Sequence, residues 1–560
     1  MEHSEYGTLY QTFCRAAAKW GDRAAYGAPP QAGRAYHPNG IEYSYAQTAA
    51  AVEALRKKYA AAGYGYGHRV ALLLEQRPEF FFHFYALNAL GCSIVPINPD
   101  YRHDEMLYQL EHSSPSLAIV IDSRMRDVQA VARDLPFALP AVAFEDLPNE
   151  FPEPRVAAKP MTPGPGTEAT LLYTSGTTGR PKGCVLDNEY FHIRGTWYAE
   201  CGGRLALRPE GERLYNPLPF HHANAVGVSA PAMLLTGGSH FAPDRFHGST
   251  WWRDMVDCRI TAFHYIGIIP NVLLKQAPCP EERLHQVRFT LGAGVDPTQH
   301  EMFEKRFGVP LIEFWGMTET GYMVVDNIEP RLIHTRACGR PSRGIDVRVV
   351  DENGRDMPTG EPGELLVRYS AENPRKGYFS CYLNDEQATE TAWKGGWFHT
   401  GDTVKCDDTG MLYFVDRKKN IIRRAGENIA AAEIEAVLAV HEKLRQVAVI
   451  AVPDEVREEE IMACIVPRSR ADAGEQLAKE LFALCLDNLA YYKAPGWFIF
   501  VDDIPTTSTQ KVQKASIFPR GTDPRSLPGA IDFRALKKKP DRAAQGIAAG
   551  GQTNSAVSQS

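Results

Sequence analysis

The chain has 560 residues, 44% hydrophobic and 23% charged, with a net charge of −7, so it exceeds the size one hydrophobic core supports and two or more globular domains are expected. The acidic balance excludes an overall nucleic-acid footprint, and eleven cysteines without a Cys-x-x-Cys pair exclude a zinc framework or a secreted disulfide scaffold. The polar first ten residues and the lack of an apolar run long enough to span a bilayer point to a cytoplasmic chain without a transmembrane segment.

From Arg69 to Leu74 a β-rich apolar run is followed by an amphipathic stretch, Glu79 to Leu90, and a second run, Ser93 to Ile97. This βαβ pattern recurs at Leu117 to Ile121 and Ala169 to Tyr173, which predicts a mostly parallel sheet covered by helices. The Pro-rich stretch Pro152 to Pro165 then leads over the surface into Leu171 to Gly183. There a strand breaks into Thr174, Ser175, Gly176, Thr177, Thr178, Gly179, Arg180, Pro181 and Lys182. Glycines let backbone amides approach an anion, the hydroxyls can donate to phosphate oxygens, and the two cations offset their charge. The spacing is not that of the common nucleotide-hydrolase loop. A solvated Gly/Ser/Thr turn is the plain alternative.

His221 and His222 follow on a loop. As neighbours they cannot share one face of a helix or strand, so they read as pocket walls rather than a metal pair. Two further strand-to-loop transitions are predicted, Phe289 to Leu291 into Gly292, Ala293 and Gly294, and Val309 to Trp315 into Gly316, Met317, Thr318 and Glu319. Loops leaving the carboxyl ends of parallel strands are where such sheets bind ligands. Trp315 offers a flat face for a nucleobase and Glu319 a hard oxygen for a metal, although singly they also read as core and as a helix-start acid. Asp402 is a candidate ribose acceptor, or simply a turn residue.

The cationic run after Asp416 marks a boundary, giving domains 1–417 and 418–520 and a tail, 521–560. The second domain reads as α+β: a helix from Ala432 to Val440, strands from Gln446 to Val452 and Ile461 to Val466, a helix from Gln476 to Leu489, and a strand from Trp497 to Val501. The Lys537 to Lys539 run and the Ala/Gly/Ser/Gln-rich end read as a passive, flexible extension.

In this order and spacing, the segments at Thr174 to Gly183, Trp315 to Glu319, Trp397 to Asp402, Asp416 to Asn428 and Lys511 resemble the adenylate-forming superfamily of acyl-CoA synthetases, luciferases and peptide-synthetase adenylation domains. The run Ile421 to Ala431 looks most like medium-chain and crotonobetaine/carnitine-type CoA ligases. The resemblance implies an α/β fold: a large N-terminal domain of layered βαβ subdomains with a small barrel-like segment, and a small mobile α+β C-terminal domain. It also implies an ATP- and Mg2+-dependent acid:CoA ligase. A carboxylic acid would attack ATP to give an acyl-adenylate, and coenzyme A would then take the acyl group.

By resemblance, Thr174, Ser175, Gly176, Thr177, Thr178 and Lys182 would hold the leaving pyrophosphate. Thr318 would contact the α-phosphate and Glu319 the magnesium. Gly292, Ala293, Gly294, Trp315, Gly316 and Met317 would surround the adenine, and Asp402 and Arg417 the ribose. Lys511 would serve adenylation, with Lys514 as competitor because Gln510 stands where a glycine is usual. Lys419 would be the hinge, Ala425, Gly426 and Glu427 would line the pantetheine route, and His222 would gate the acyl pocket or face the thiol tunnel. The pocket residues suggest a short, medium or polar acid, and a homodimer is compatible with all of this. Transfer to a carrier protein is the same-fold alternative. A luciferase-like oxygenase and a non-catalytic nucleotide-binding protein rank below it.

Overall fold

The structure is a computed structural model that describes residues 6–174, 180–295, 297–342, 344–417, 421–505, 514, 517–519 and 521–538. Ser175, Gly176, Thr177, Thr178, Lys419 and Lys511 lie outside the described residues, as does the side chain of Arg417.

The predicted βαβ unit is present. Arg69–Leu73, the helix Glu79–Ala89 and Ser93–Pro96 follow one another, and the two strands pair in parallel. That helix is apolar on every side, so it is buried all round rather than along one stripe. Within the described residues the strands join a seven-stranded sheet with Leu117–Val120, Ala141–Ala143, Glu168–Thr174, Lys182–Asp187 and Cys381–Tyr382. The loop after Thr174 closes an antiparallel hairpin, because Glu168–Thr174 pairs with Lys182–Asp187 and places Thr174 opposite Lys182.

A second sheet continues without a break from parallel to antiparallel strands. In its parallel part, Ala262–Ile266, Phe289–Ala293 and Leu311–Trp315 lie side by side. Its antiparallel part includes Phe398–Cys406 and Leu412–Arg417, whose register sets Asp402 opposite Arg417.

Among the described residues the small domain is built on a six-stranded sheet and a helical cover, with Ile421–Arg424 and Glu427–Ala430 forming a hairpin joined by Ala425 and Gly426. Both turn residues have positive φ, 51° and 87°. Such a two-residue turn matches the twist of its strands only in that conformation, which glycine adopts freely and alanine at a cost.

The expectation of a passive tail from 521 is corrected. Ile531–Asp532 adds a strand to Trp497–Phe500, and Phe533 enters the core of the small domain beside Phe482 and Phe498. The Lys537 ammonium, fully buried, lies 2.6 Å from Glu460 Oε1. A basic run is usually a solvated face, but here one of its lysines meets a buried carboxylate.

Candidate active site

A cavity of about 1100 Å³ lies between the carboxyl ends of the parallel strands and the small domain. Thr174 and Lys182 enter it from the hairpin, Gly316, Met317, Thr318 and Glu319 from the loop after Leu311–Trp315, and Ala293 from the neighbouring strand end. His222 stands on the far wall, and Ala425, Gly426 and Glu427 reach in from the small domain. Thus the cavity gathers residues more than 250 positions apart in sequence, as a sheet switch point does.

The loop carrying Thr318 and Glu319 is held by its backbone. Tyr190 Oη donates to the Thr318 carbonyl at 2.7 Å, Arg194 donates to the carbonyls of Met317 and Thr320, and Phe379 N donates to the Glu319 carbonyl at 2.9 Å. Tyr382 Oη donates to Glu319 Oε1 at 2.9 Å, and the Lys182 ammonium lies over the same ring, 4.6 Å from its centre. Burial, followed by the charge of Glu319, pushes the Tyr382 phenol up, so it remains a donor. Tyr382 therefore touches both an ammonium and a carboxylate, which places a cationic and an anionic anchor around one ring. Polyphosphate and a hard divalent cation need that arrangement.

Trp315 is buried, and its indole donates to Asp402 Oδ2 at 2.8 Å. Thr400 and Gly401 line the cavity beside Asp402, whereas Trp315, Asp402, Gly292 and Gly294 are not part of its lining.

At the domain boundary, His222 Nε2 lies 3.2 Å from Glu427 Oε2. Burial alone would raise the Glu427 carboxyl, but the charge and hydrogen bond of His222, then the charge of His221, hold it down at about 2. The adjacent histidines are not splayed apart. On this turn their ring centres are 4.4 Å apart, and the donor atoms of His221, His222 and Glu427 lie within 4.8 Å of one another. The rule that neighbours face opposite ways holds for regular strands and not for a turn.

Gly426 packs so closely on the large domain that an added Cβ would meet Ile266 Cδ1 at 2.1 Å. Lys514, the competing lysine, is engaged inside the small domain, with its ammonium 2.6 Å from Glu435 Oε1.

Comparison with known proteins supplies the class. A family model described as AMP-binding enzyme matches residues 13–379, and one for the AMP-binding enzyme C-terminal domain matches 433–511. The chain belongs to the AMP-binding enzyme family. Among curated relatives of this family, the crotonobetaine/carnitine–CoA ligase of Citrobacter koseri is 29% identical over 495 residues, 85% of this chain and 93% of that one. That of Shigella sonnei is 28% identical over 492 residues, with the same coverage. Among solved structures, o-succinylbenzoate CoA synthetase of Bacillus subtilis superposes with a TM-score of 0.77 at 24% identity, covering 90% of this chain and 98% of that one. The amide bond synthetase of Marinactinospora thermotolerans gives 0.74 at 23% identity, with the same coverage. These likenesses bear out the α/β architecture with a small C-terminal domain.

Three residues that the sequence did not single out belong to the site. Tyr382 and Arg194 brace the Thr318–Glu319 loop, and Glu458 of the small domain lines the cavity next to Gly267. Each acts across a distance in sequence, so no local spacing announces it.

Proposed function

We propose that the chain is an ATP-dependent carboxylic acid:CoA ligase that works through an acyl-adenylate. The observation carrying this reading is that one cavity holds the Thr174/Lys182 end of the phosphate hairpin, the Thr318–Glu319 loop and the Ala425–Glu427 turn of the other domain. A nucleotide, an acid and a thiol would meet there.

In the first half-reaction a carboxylate oxygen attacks the α-phosphorus, and the bond from that phosphorus to the bridging oxygen of pyrophosphate breaks. Lys182 would hold charge on the departing phosphates and Thr318 would hold the α-phosphate. Glu319, a hard carboxylate oxygen already oriented by Tyr382, fits magnesium, which neutralises charge on the phosphate oxygens when bound. Ala293 and Gly316 would flank the adenine. Asp402, held by Trp315, and Arg417, opposite it in register, would face the ribose. Lys511 remains the proposed lysine of this step and Lys419 the proposed hinge.

In the second half-reaction the thiol sulfur attacks the acyl carbon, its proton passes to a neighbouring base or to solvent, and AMP leaves with the former carboxylate oxygen. The turn Ala425, Gly426 and Glu427, which by resemblance would line the pantetheine route, is pressed on Ile266 through Gly426 and meets His222 through Glu427. Freed of Glu427 or bound to it, His222 would close the acyl pocket against water or open it to the thiol.

The test is acid-dependent pyrophosphate release with ATP and magnesium, over mono- and dicarboxylic, aromatic and trimethylammonium acids, with and without coenzyme A. A thioester formed with at least one acid is expected. Release without thioester would overturn the CoA step and favour a carrier or amine acceptor, and no release with any acid would overturn the adenylation. Lys511→Ala should suppress release roughly a hundredfold or more while sparing thioester formation from supplied acyl-adenylate.

A further inference from the structure

The acid site contains a buried cation that the chemistry above does not use. Arg194, in the helix Asn188–Glu200, is 2% exposed and lines the cavity. Its donors meet only carbonyls. Nε lies 3.0 Å and Nη2 2.6 Å from Thr320 O, Nη2 also meets Met317 O, and Nη1 makes one long contact, 3.4 Å, with Ala223 O. Among the described residues no carboxylate pairs with it. The Glu319 carboxylate favours its charge without pairing with it, and the centre of the Tyr190 ring lies 4.6 Å from its Cζ. With no ion pair of its own, a desolvated guanidinium is costly, and an anion arriving from the cavity would relieve it further.

The position of Nη1 agrees with this. Nη1 faces Gly227, where an added Cβ would stand 3.3 Å away, so the missing side chain there leaves room for the head of Arg194. Ala223 directly follows His222, and Met317 directly precedes Thr318. The guanidinium therefore bridges the segments that carry His222 and Thr318, and on the ligase reading the tail of an acid would extend toward it.

An independent observation concerns the floor of the same pocket. Asn224 lines the cavity, and its Oδ1 accepts from a buried polar set: it lies 2.7 Å from His264 Nδ1 and 2.9 Å from Asn216 Nδ2, and Ser229 Oγ is 3.1 Å from the same His264 nitrogen. Burial, and then the charge of His240, lower the His264 imidazole to about 3, so it is neutral there. A pocket for an alkyl chain would not have a polar floor beside a buried cation.

Resting on the ligase reading above, we infer that Arg194 selects acids whose far end carries a second carboxylate, and that it rejects cationic acids. The sign of the charge opposes a trimethylammonium tail, so the preference differs from that in the names of the crotonobetaine/carnitine relatives.

The experiment compares a dicarboxylic, a monocarboxylic and a trimethylammonium acid of matched length, in wild type, Arg194→Gln and Arg194→Lys. It reads kcat/KM for pyrophosphate release together with protection against thermal unfolding by each acid in the presence of ATP and magnesium. Wild type should favour the diacid and disfavour the trimethylammonium acid. Arg194→Gln should lower the diacid-to-monoacid ratio roughly tenfold to a hundredfold, and Arg194→Lys should keep part of it. Because Arg194 also holds the Met317 and Thr320 carbonyls, a bracing role alone would lower all acids equally and leave the ratio unchanged. That result, or a wild-type preference for the trimethylammonium acid, overturns the inference. If no acid releases pyrophosphate, the ligase reading fails by itself. Diacid protection lost in Arg194→Gln would then still support the anion site, and equal or absent protection in both proteins would overturn it.

Discussion

A carboxyl group wedged against the backbone of another domain has to be either paired or neutral. Glu458 is in that position. Its φ of 69° aims the side chain across the interface, where Oε1 would lie 2.5 Å from a Cβ added to Gly267 and 3.4 Å from one added to Gly294. Burial raises its pKa to about 7, with Arg423 and Arg336 opposing and Glu459 and Glu313 assisting. The sign follows from the two states. Undocked, the group titrates near 4.5; docked, near 7; so docking takes up a proton between these values and weakens as pH rises through 7. The apparent KM for coenzyme A should therefore rise several-fold, roughly, from pH 6 to 8, and Glu458→Gln should flatten that rise. An unchanged pH profile in the variant would show that Glu458 does not report the contact. The sequence disclosed Thr174, Lys182, Thr318 and Glu319 because their chemistry is packed into short loops. It concealed Glu458 because Glu458-Glu459-Glu460 reads as a solvated acidic run, and it concealed Arg194 because a single cation in a helix reads as surface.

The elements of the chain were legible where hydrophobic period and turn residues agreed. The helices Ala431–Ala439 and Glu475–Asn488 and the strands beside them fall within three residues of expectation, because both faces of that small sheet are apolar. The strand Lys182–Asp187 was missed. It begins inside the phosphate loop, and Gly183 and Lys182 obscure its alternation. The last described segment was misread for a related reason: Ile531–Asp532 is too short to carry a period, and its worth lies in Phe533 and Lys537 further on. Arg424 Nε and Lys537 Nζ share the two oxygens of Glu460, at 2.7 and 2.6 Å, so this segment also steadies the strand that leads into the Ala425–Gly426 turn. A chain ending at Lys538 keeps every one of these contacts and serves as the reference. A chain ending at Ala530 should lose several degrees in the melting of the small domain, since removing a buried Phe alone costs about 3 kcal/mol. It should also lose CoA-dependent thioester formation more than pyrophosphate release. Equal Tm values for the two chains would restore the passive-tail reading.

At the scale of the whole molecule, the two domains are joined by a buried charge cluster whose members do not themselves line the cavity. Lys493, on the small domain, places its ammonium 2.5 Å from Glu105 of the large domain and 2.8 Å from Glu433 of its own. Beside it, Asn98 Nδ2 donates to Tyr492 Oη at 2.7 Å. Burial would lower the Lys493 pKa, but the charges of Glu105 and Glu433 outweigh that and raise it well above its ordinary value, so the ammonium stays charged. Taking away one member of a buried ionic group leaves uncompensated charge, at a cost of about 3 kcal/mol or more. In Lys493→Met two carboxylates would face each other across the interface, and the arrangement that brings Glu427 to His222 would be the state that loses. On the proposal that adenylate formation uses another pose of the small domain, the cost falls on one half-reaction only. Thioester formation from supplied acyl-adenylate should slow roughly a hundredfold, while pyrophosphate release in a single turnover remains near wild type. Glu105→Gln in the same background removes the repulsion and should restore part of the lost rate, whereas on the wild-type background it should be harmful. If Lys493→Met slows both half-reactions alike, the cluster serves general stability and not the pose of the small domain. If it slows neither, the contact does not hold the domains together in solution.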